Sequence, residues 1–335
     1  MEIIRHTLNE EVYIPEALID QMLDKKICFL DIETTGFSRK YNHIILIGLL
    51  YINNSKIEVI QFLADNEKDE KNIINDFVKY IPQFEVIFNF NGDAFDIPFI
   101  NARLKYYNYD YEIDKSLSMD IFKVVRNKKK ILGLDKYNLK TIEKLLRISR
   151  EDTISGKKSV ELYFEYTKTK NNRIKDIILK HNYEDIYNLP KILKIFDIIE
   201  DKSKIILKTR YLNTNIEITI KIDSIKRTGN MMYVEGLTNT INLPDEMHYG
   251  DTHTINWYPQ TGNLQISLEV EDGNLSDGSK CVFFNSIAFR QGLDNINRMN
   301  YKLPDNILML SHNGNIIADN VEVLIKHLWQ GLNKN

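Results

Sequence analysis

The chain has 335 residues, 43% of them hydrophobic and 27% charged; this is ample apolar material for packed cores and excludes a disordered or low-complexity chain. A chain of this length is expected to form two domains. Two cysteines, Cys28 and Cys281, exclude a disulfide framework and a four-ligand zinc site, and the formal charge of -3 gives no overall case for a polyanionic partner.

The N-terminus, MEIIRHTLNEEVYIP, lacks a basic segment followed by an apolar run, so no signal peptide is expected. Residues 27–31 (ICFLD) form a β-prone apolar run ending in an acid. The most apolar stretch, IILIGLLYI at 44–52, is far shorter than the roughly 20 residues of a membrane helix and reads as a buried strand. Few cysteines and no export signal point to a cytoplasmic protein with no membrane partner. A third strand is expected over 55–64, after a turn at Asn53-Asn54, completing an antiparallel meander. The period then changes. From Asp65, a candidate N-cap, Ile73, Ile74, Phe77 and Ile81 fall near one helical face.

EVIFNF (85–90) is the next expected strand, broken by Asn91-Gly92. Residues 96–107 read as a helix with Asp96 as candidate N-cap and Pro98 in its first turn. Residues 117–125 read as a strand running into a helix. Further helices are expected over 139–147, 160–169 and 172–199, the last broken or kinked at Pro190. Beyond residue 201 the character changes to short strands punctuated by turns such as Thr228-Gly229-Asn230 and Thr261-Gly262-Asn263, with one closing helix. The expected organisation is a lead-in over 1–24, an α/β domain over 25–200 and a smaller β-rich domain over 201–335. In the latter, Trp257, Tyr258, Phe283 and Phe284 could line a surface, with core packing the default.

Three acidic features carry chemistry. In DIETTG (31–36), Asp31 and Glu33 are two residues apart on a strand, so both carboxylates face one side. Two like charges on an otherwise apolar strand are unfavourable unless a cation binds them, and hard oxygen donors suit magnesium or manganese. A solvated strand end is the alternative for this pair taken alone. Asp96 follows a strand and a turn, which suits either a helix cap or a metal ligand. In HNYEDIYNL (181–189), His181 and Asp185 lie one helical turn apart on one face.

The order of these features, with FLDIETTG, NGDAFDIPF and a histidine ahead of the last aspartate, resembles the DEDD 3′–5′ exonuclease superfamily of the ribonuclease H-like fold. The runs MDIFKVV, LKTIEKLLRISREDTISG, ELYFEYTKT and HNYEDIYNL are most similar to its bacterial RNase_H_2-type family. The resemblance spans about residues 25–198. It implies a mixed sheet flanked by helices, a single-stranded nucleic-acid end as substrate and two divalent ions, Mg2+ or Mn2+. It implies that Asp31 bridges the ions, that Glu33 and Asp185 complete one site, and that Asp96 helps hold the other. His181 would act on the attacking water, as its base or its orienter. It stands four residues before Asp185, the spacing of the tyrosine rather than the histidine branch of that superfamily.

The near-neutral total conceals an asymmetry. Residues 123–147 hold nine Lys/Arg against Asp135 and Glu143, densest at Arg126, Lys128, Lys129 and Lys130, which are candidate phosphate contacts or a solvated helix face. Tyr106, Tyr107, Tyr109 and Tyr111 could stack bases, with packing the commoner role. Competing functions are a catalytically weak nucleic-acid binder, a repair adaptor whose β-rich domain recruits a protein partner, and a structure-specific endonuclease of the same fold.

Overall fold

The nine-residue apolar run at 44–52 is too short for a membrane span but long enough to cross a domain as a central strand, and the chain uses it so. The computed structural model describes residues 1–53, 56–211, 214–285 and 296–332. The chain divides into two compact units, one of residues 1–126 and 136–197, the other of 127–135 and 198–335.

The first unit contains, in chain order, β1 (Glu2–Leu8), α1 (Ile19–Met22), β2 (Ile27–Thr34), β3 (Ile44–Asn53), β4 (Lys56–Leu63), α2 (Glu70–Phe77), β5 (Val86–Asn89), α3 (Asp96–Tyr106), β6 (Ser118–Asp120) and α4 (Ile121–Asn127). After α5 (Lys129–Leu132), which belongs to the second unit, come α6 (Leu139–Leu145), α7 (Gly156–Thr169), α8 (Asn172–Ile192) and α9 (Ile195–Ser203), the last crossing the boundary between units. The strands form one mixed sheet in the order β1-β4-β3-β2-β5-β6. The meander β2-β3-β4 is antiparallel, and β5 and β6 join beside β2 in parallel.

Helices cover both faces. One face packs Cys28, Leu30 and Ile32 of β2 against Ile73 and Phe77 of α2 and Phe99 and Ile100 of α3. The other packs Ile45, Leu46 and Leu63 against Tyr163, Tyr166, Ile174 and Ile178 of α7 and α8. A strand points successive side chains to opposite faces. With Leu30 and Ile32 committed to the first face, Asp31 and Glu33 turn to the face that α8 covers.

Several expectations need correction. The N-terminal lead-in contributes β1, which pairs antiparallel with β4 over seven residues. Asp65 caps no helix: its carboxylate accepts from the Tyr166 hydroxyl at 2.6 Å, while Asn66 caps a 3-10 turn over Glu67–Asp69 that precedes α2. Asp96 is the first residue of α3, behind Phe95 at the cap position, and its carboxylate caps nothing. By contrast, the break expected at Pro190 is found: Pro190 lies in the last turn of α8, which ends at Ile192, and α9 starts at Ile195. Of the turn expected at Asn53-Asn54, Asn53 lies in β3, whereas Asn54 lies outside the described residues.

The second unit is β-rich, with strands β7 (Lys204–Tyr211), β8 (Thr214–Thr228), β9 (Met231–Thr238), β10 (Glu246–Tyr249), β11 (His253–Tyr258), β12 (Asn263–Glu269), β13 (Glu271–Asn274), β14 (Lys280–Asn285), β15 (Ile307–His312) and β16 (Asn315–Ile316), then α10 (Ala318–Leu332). They form two sheets, ordered β10-β11-β12-β9-β8-β7 and β13-β14-β15-β16. Both sheets and α10 share one core that buries Trp257 and Phe284. Gly262 closes the β11–β12 turn at φ 78°, where a Cβ would also lie 2.5 Å from the Thr238 carbonyl. Among the described residues no helix is long and apolar enough to cross a membrane.

Candidate active site

The site begins with a row across the sheet. Asp31 of β2 stands opposite Gly48 of β3, and Gly48 opposite Gln61 of β4. Only a glycine fits the middle of this row, because a Cβ there would lie 1.7 Å from Ile186 Cδ1 and 2.6 Å from Asn182 Oδ1. The missing side chain lets α8 lie close on β3. Asn182 then spans the row: its Oδ1 accepts from Gln61 Nε2 at 2.9 Å and its Nδ2 donates to Asp31 Oδ2 at 2.8 Å.

One residue before Asn182 and three after it along α8 are His181 and Asp185, which meet Glu33. His181 Nε2 lies 3.4 Å from Glu33 Oε1 and 3.8 Å from Asp185 Oδ2. Candidate ligand atoms of Glu33, His181 and Asp185 all lie within 4.8 Å of one another. The other ring nitrogen, His181 Nδ1, lies 2.7 Å from Asp152 Oδ2, with both side chains buried. Asp152 is held by a loop that sequence reasoning passed over. Its backbone N–H and that of Glu151 donate to the Glu184 carboxylate. Arg150, 8% exposed, joins the same group: its guanidinium lies 2.6 Å from Asp185 Oδ1, 3.0 Å from Glu143 Oε1 and 3.3 Å from Asp152 Oδ2.

Asp96 enters from α3. Its Oδ1 accepts from the Ile32 backbone N–H at 3.0 Å, the peptide between Asp31 and Glu33. That bond ties the start of α3 to the middle of β2 and explains why the carboxylate is not spent as a cap. Near it, Asp120 at the end of β6 accepts from Asn91 N–H, and Asp93 pairs with Lys123 and Ser118.

Asp31, Glu33 and Asp96 hold their protons unusually tightly. Burial, then the charges of Asp185, Asp96 and Glu33, push Asp31 well above the ordinary carboxyl range, against the opposing Asn182 bond. Burial, then Asp185 and Asp96, push Glu33 up to about 8. Burial raises Asp96 to about 7, helped by Asp120 and Asp185 and opposed by the Ile32 N–H. Asp152 runs the other way: although burial opposes it, the His181 hydrogen bond holds it below its ordinary value. Hard oxygen donors that cannot all ionise together are the donor set that fits divalent cations.

The structure thus brings together Asp31, Glu33, Asp96, His181 and Asp185. Arg126 ends the first segment of unit one, whereas Lys128, Lys129 and Lys130 fall in unit two. Lys128 Nζ donates to the Asp223 carbonyl at 3.3 Å, and the Lys130 side chain lies outside the described residues. Tyr107, Tyr109 and Tyr111 pack against the core, and Tyr106 is exposed beside Arg103. Residues not foreseen are Asn182, Arg150, Asp152, Glu184 and Asp120. Asn182 had a signal, its place beside His181 on the helix turn that reaches Asp185. Asp152 had none, being 29 residues from its partner in an irregular loop.

A family model described as RNase H superfamily, RNase_H_2, matches residues 28–196, from inside β2 to the start of α9, and includes all five residues. A DNA polymerase of Methanocaldococcus jannaschii is 35% identical over 63 residues, 19% of this chain and 3% of that protein. Among solved structures, the family B DNA polymerase of Pyrobaculum calidifontis is 15% identical at a TM-score of 0.41, covering 52% of this chain and 24% of that one. The zinc-bound ExoI–ssDNA complex from E. coli is 14% identical at a TM-score of 0.32, covering 66% of this chain and 56% of that one. The chain spans less than two thirds of each of these proteins.

Proposed function

Because the chain belongs to the RNase_H_2 family of the RNase H superfamily, we propose that it is a metal-dependent nuclease that hydrolyses phosphodiester bonds of DNA or RNA from a single-stranded 3′ end. The observation that carries this reading is the convergence of four carboxylates and one imidazole from β2, α3 and α8 in a largely buried site. The donors fit two divalent ions, Mg2+ or Mn2+, held by Asp31, Glu33, Asp96 and Asp185. When bound, such ions polarise the scissile phosphate, offset the charge on the oxygens that gain it and make water a nucleophile at neutral pH.

The chain's own groups account for the rest. A carboxylate only accepts, so the Asp152 bond favours a proton on His181 Nδ1. In the neutral ring Nε2 is then the acceptor, and it faces Glu33 and Asp185, where it can take a proton from the attacking water. Asn182 fixes Asp31 and the Ile32 N–H fixes Asp96, so neither carboxylate has to be ordered at the moment of reaction.

The test is a 5′- or 3′-labelled oligonucleotide, DNA and RNA, with Mg2+ or Mn2+. A ladder shortening from the 3′ end is expected. Discrete internal cuts would make the protein an endonuclease, and no product would leave a binder or adaptor. Asp31→Ala should abolish cleavage with the fold intact. A second reading is favoured by the close grouping of Glu33, His181 and Asp185: His181 Nε2 as a metal ligand rather than a base. His181→Gln separates the two, lowering Mn2+ affinity if the ring is a ligand and only kcat if it is a base.

A further inference from the structure

Beside the carboxylate cluster, α6 and the loop after it enclose an open cavity of about 410 Å3 within the first unit. Its wall carries four cations, Lys140, Lys144, Arg147 and Arg150, and two acids, Glu143 and Asp152. Both acids pair with Arg150, and Asp152 also lies against His181, so neither is directed at the three remaining cations. Lys140 and Lys144 are four residues apart on α6 and so share a face. Arg147 follows at φ 57°, in the left-handed region. Among the described residues Lys140 Nζ donates to a carbonyl, that of Ile154 at 3.0 Å, and to no acid. Lys144 and Arg147 are exposed and have no ion pair among the described residues. The cavity therefore keeps an excess of positive charge with donors free to bind.

Its position matters as much as its charge. Arg150 lies in the cavity wall and also 2.6 Å from Asp185; Asp152 lies in the wall and also 2.7 Å from His181. A group held in the cavity is therefore one side chain away from the proposed metal ligands and the histidine. We propose that this cavity is a phosphate subsite: Lys144 and Arg147, with Lys140 at the rim, hold a phosphate group next to the one being cleaved. The phosphate is carried either by the bound strand or by a released mononucleotide. The inference rests on the nuclease reading in taking that phosphate as part of its substrate or product. The Arg guanidinium supplies a planar two-donor fork and the ammonium a point charge, the pairing that suits phosphate oxygens.

The test uses the full chain carrying Asp31→Asn, so that bound strands survive. Binding of a fluorescein-labelled single-stranded 12-mer and of adenosine 5′-monophosphate is measured against salt, with and without Lys144→Gln/Arg147→Gln. Loss of two phosphate contacts should lower the slope of log K against log salt for the 12-mer by about 1.4, at roughly 0.7 per contact, and weaken binding roughly tenfold at low salt. The charge-conserving pair Lys144→Arg/Arg147→Lys should restore the slope. A control that removes equal charge from α2 and the turn before it, Lys68→Gln/Lys71→Gln, should leave it unchanged. Loss of 12-mer binding alone assigns the cavity to the strand; parallel loss of the mononucleotide assigns it to the product as well. An unchanged slope in the cavity variant, or an equal fall in the control, overturns the proposal. Cleavage by the unsubstituted chain is scored separately. A chain that binds through the cavity but never cleaves removes the nuclease reading alone, whereas one that cleaves with binding indifferent to Lys144 and Arg147 removes the subsite alone.

Discussion

Glu33→Gln tests the electrostatics of the site most directly, because the change keeps the shape and removes one charge. Glu33 is buried and its pKa is raised to about 8, by burial first and then by Asp185 and Asp96. In the unfolded chain a glutamate titrates near its reference value of about 4.3. Below that pH the carboxyl is protonated in both states and costs nothing. As pH rises to about 8, the unfolded chain loses the proton while the native one keeps it, so stability falls with pH across this window and levels off above it. A shift of about 3.5 units at about 1.4 kcal/mol each sets a ceiling of about 5 kcal/mol at pH 8. Because Asp31, Asp96 and Glu33 repel one another's charge, and because His181 Nε2 at 3.4 Å loses a carboxyl partner, the expected gain for Glu33→Gln in EDTA is less, about 2 kcal/mol.

That gain corresponds to a rise of about 4–8 °C in unfolding temperature for a domain of this size. Thermal unfolding in EDTA at pH 4.5 and pH 8 reads it: near-equal stability is expected at the lower pH and a more stable variant at the higher. Added Mn2+ should reverse the order. The unsubstituted chain gains about 2.7 kcal/mol at a metal concentration of 100 times Kd, and the variant gains little. A variant less stable than the parent at pH 8 in EDTA, or a parent indifferent to Mn2+, would refute the view of the site as a proton-holding carboxylate cluster awaiting cations.

Asp152→Asn should lower kcat by roughly 10²-fold with KM little changed, since the amide can offer His181 Nδ1 a donor in place of an acceptor; nitrogen-15 spectra of the His181 ring should show the tautomer shifting, and an unaltered ring with altered activity would remove Asp152 as its orienter. Gly48→Ala drives a Cβ into Ile186 and Asn182, so a loss of about 1–3 kcal/mol is expected, with weakened Mn2+ binding by calorimetry because Asn182 no longer seats Asp31. Breaking the buried Arg103–Glu70 pair, which ties α3 to α2 and to the Ile44 N–H, by Arg103→Met should cost about 3–5 kcal/mol in chemical denaturation, because Glu70 is left buried without its main partner.

What could be read from the sequence was whatever depends on short-range periodicity. The two-residue spacing of Asp31 and Glu33 on a strand, and the four-residue spacing of His181 and Asp185 on a helix, fix which face each pair shares without reference to the rest of the chain. The antiparallel meander follows from three short strands in quick succession, whereas the parallel pairing of β5 with β2 carried no local signal. Asp96 was visible as a residue but not as a contact. An acid ahead of a helix carries the same local signal whether it caps that helix or reaches 64 positions back to Ile32. The basic run at 126–130 straddles the boundary between the two units, which falls between Arg126 and Asn127; a charge count carries no signal for such a boundary.

The loop over 147–154 is the part that no periodic signal could have revealed, and it supplies the second half of the site. Its arginine and aspartate carry no helix or strand spacing relative to α8, and they are ordered by backbone N–H groups donating to Glu184, a side chain on the opposite flank of α8 from Asn182. The dependence has a direction: Glu184 holds the loop, the loop holds Asp152, and Asp152 holds His181. Arg150 meanwhile offsets the charge of Asp185, whose other oxygen faces the imidazole. Beside Asp31, Glu33 and Asp96, which all resist ionisation, Arg150 sets a permanent cation against Asp185, Glu143 and Asp152. A lysine could supply the charge but not reach Glu143, Asp152 and Asp185 at once from one planar group. The fork of Arg150 therefore links the metal-ligand side of the site, through Asp185, to the cationic cavity.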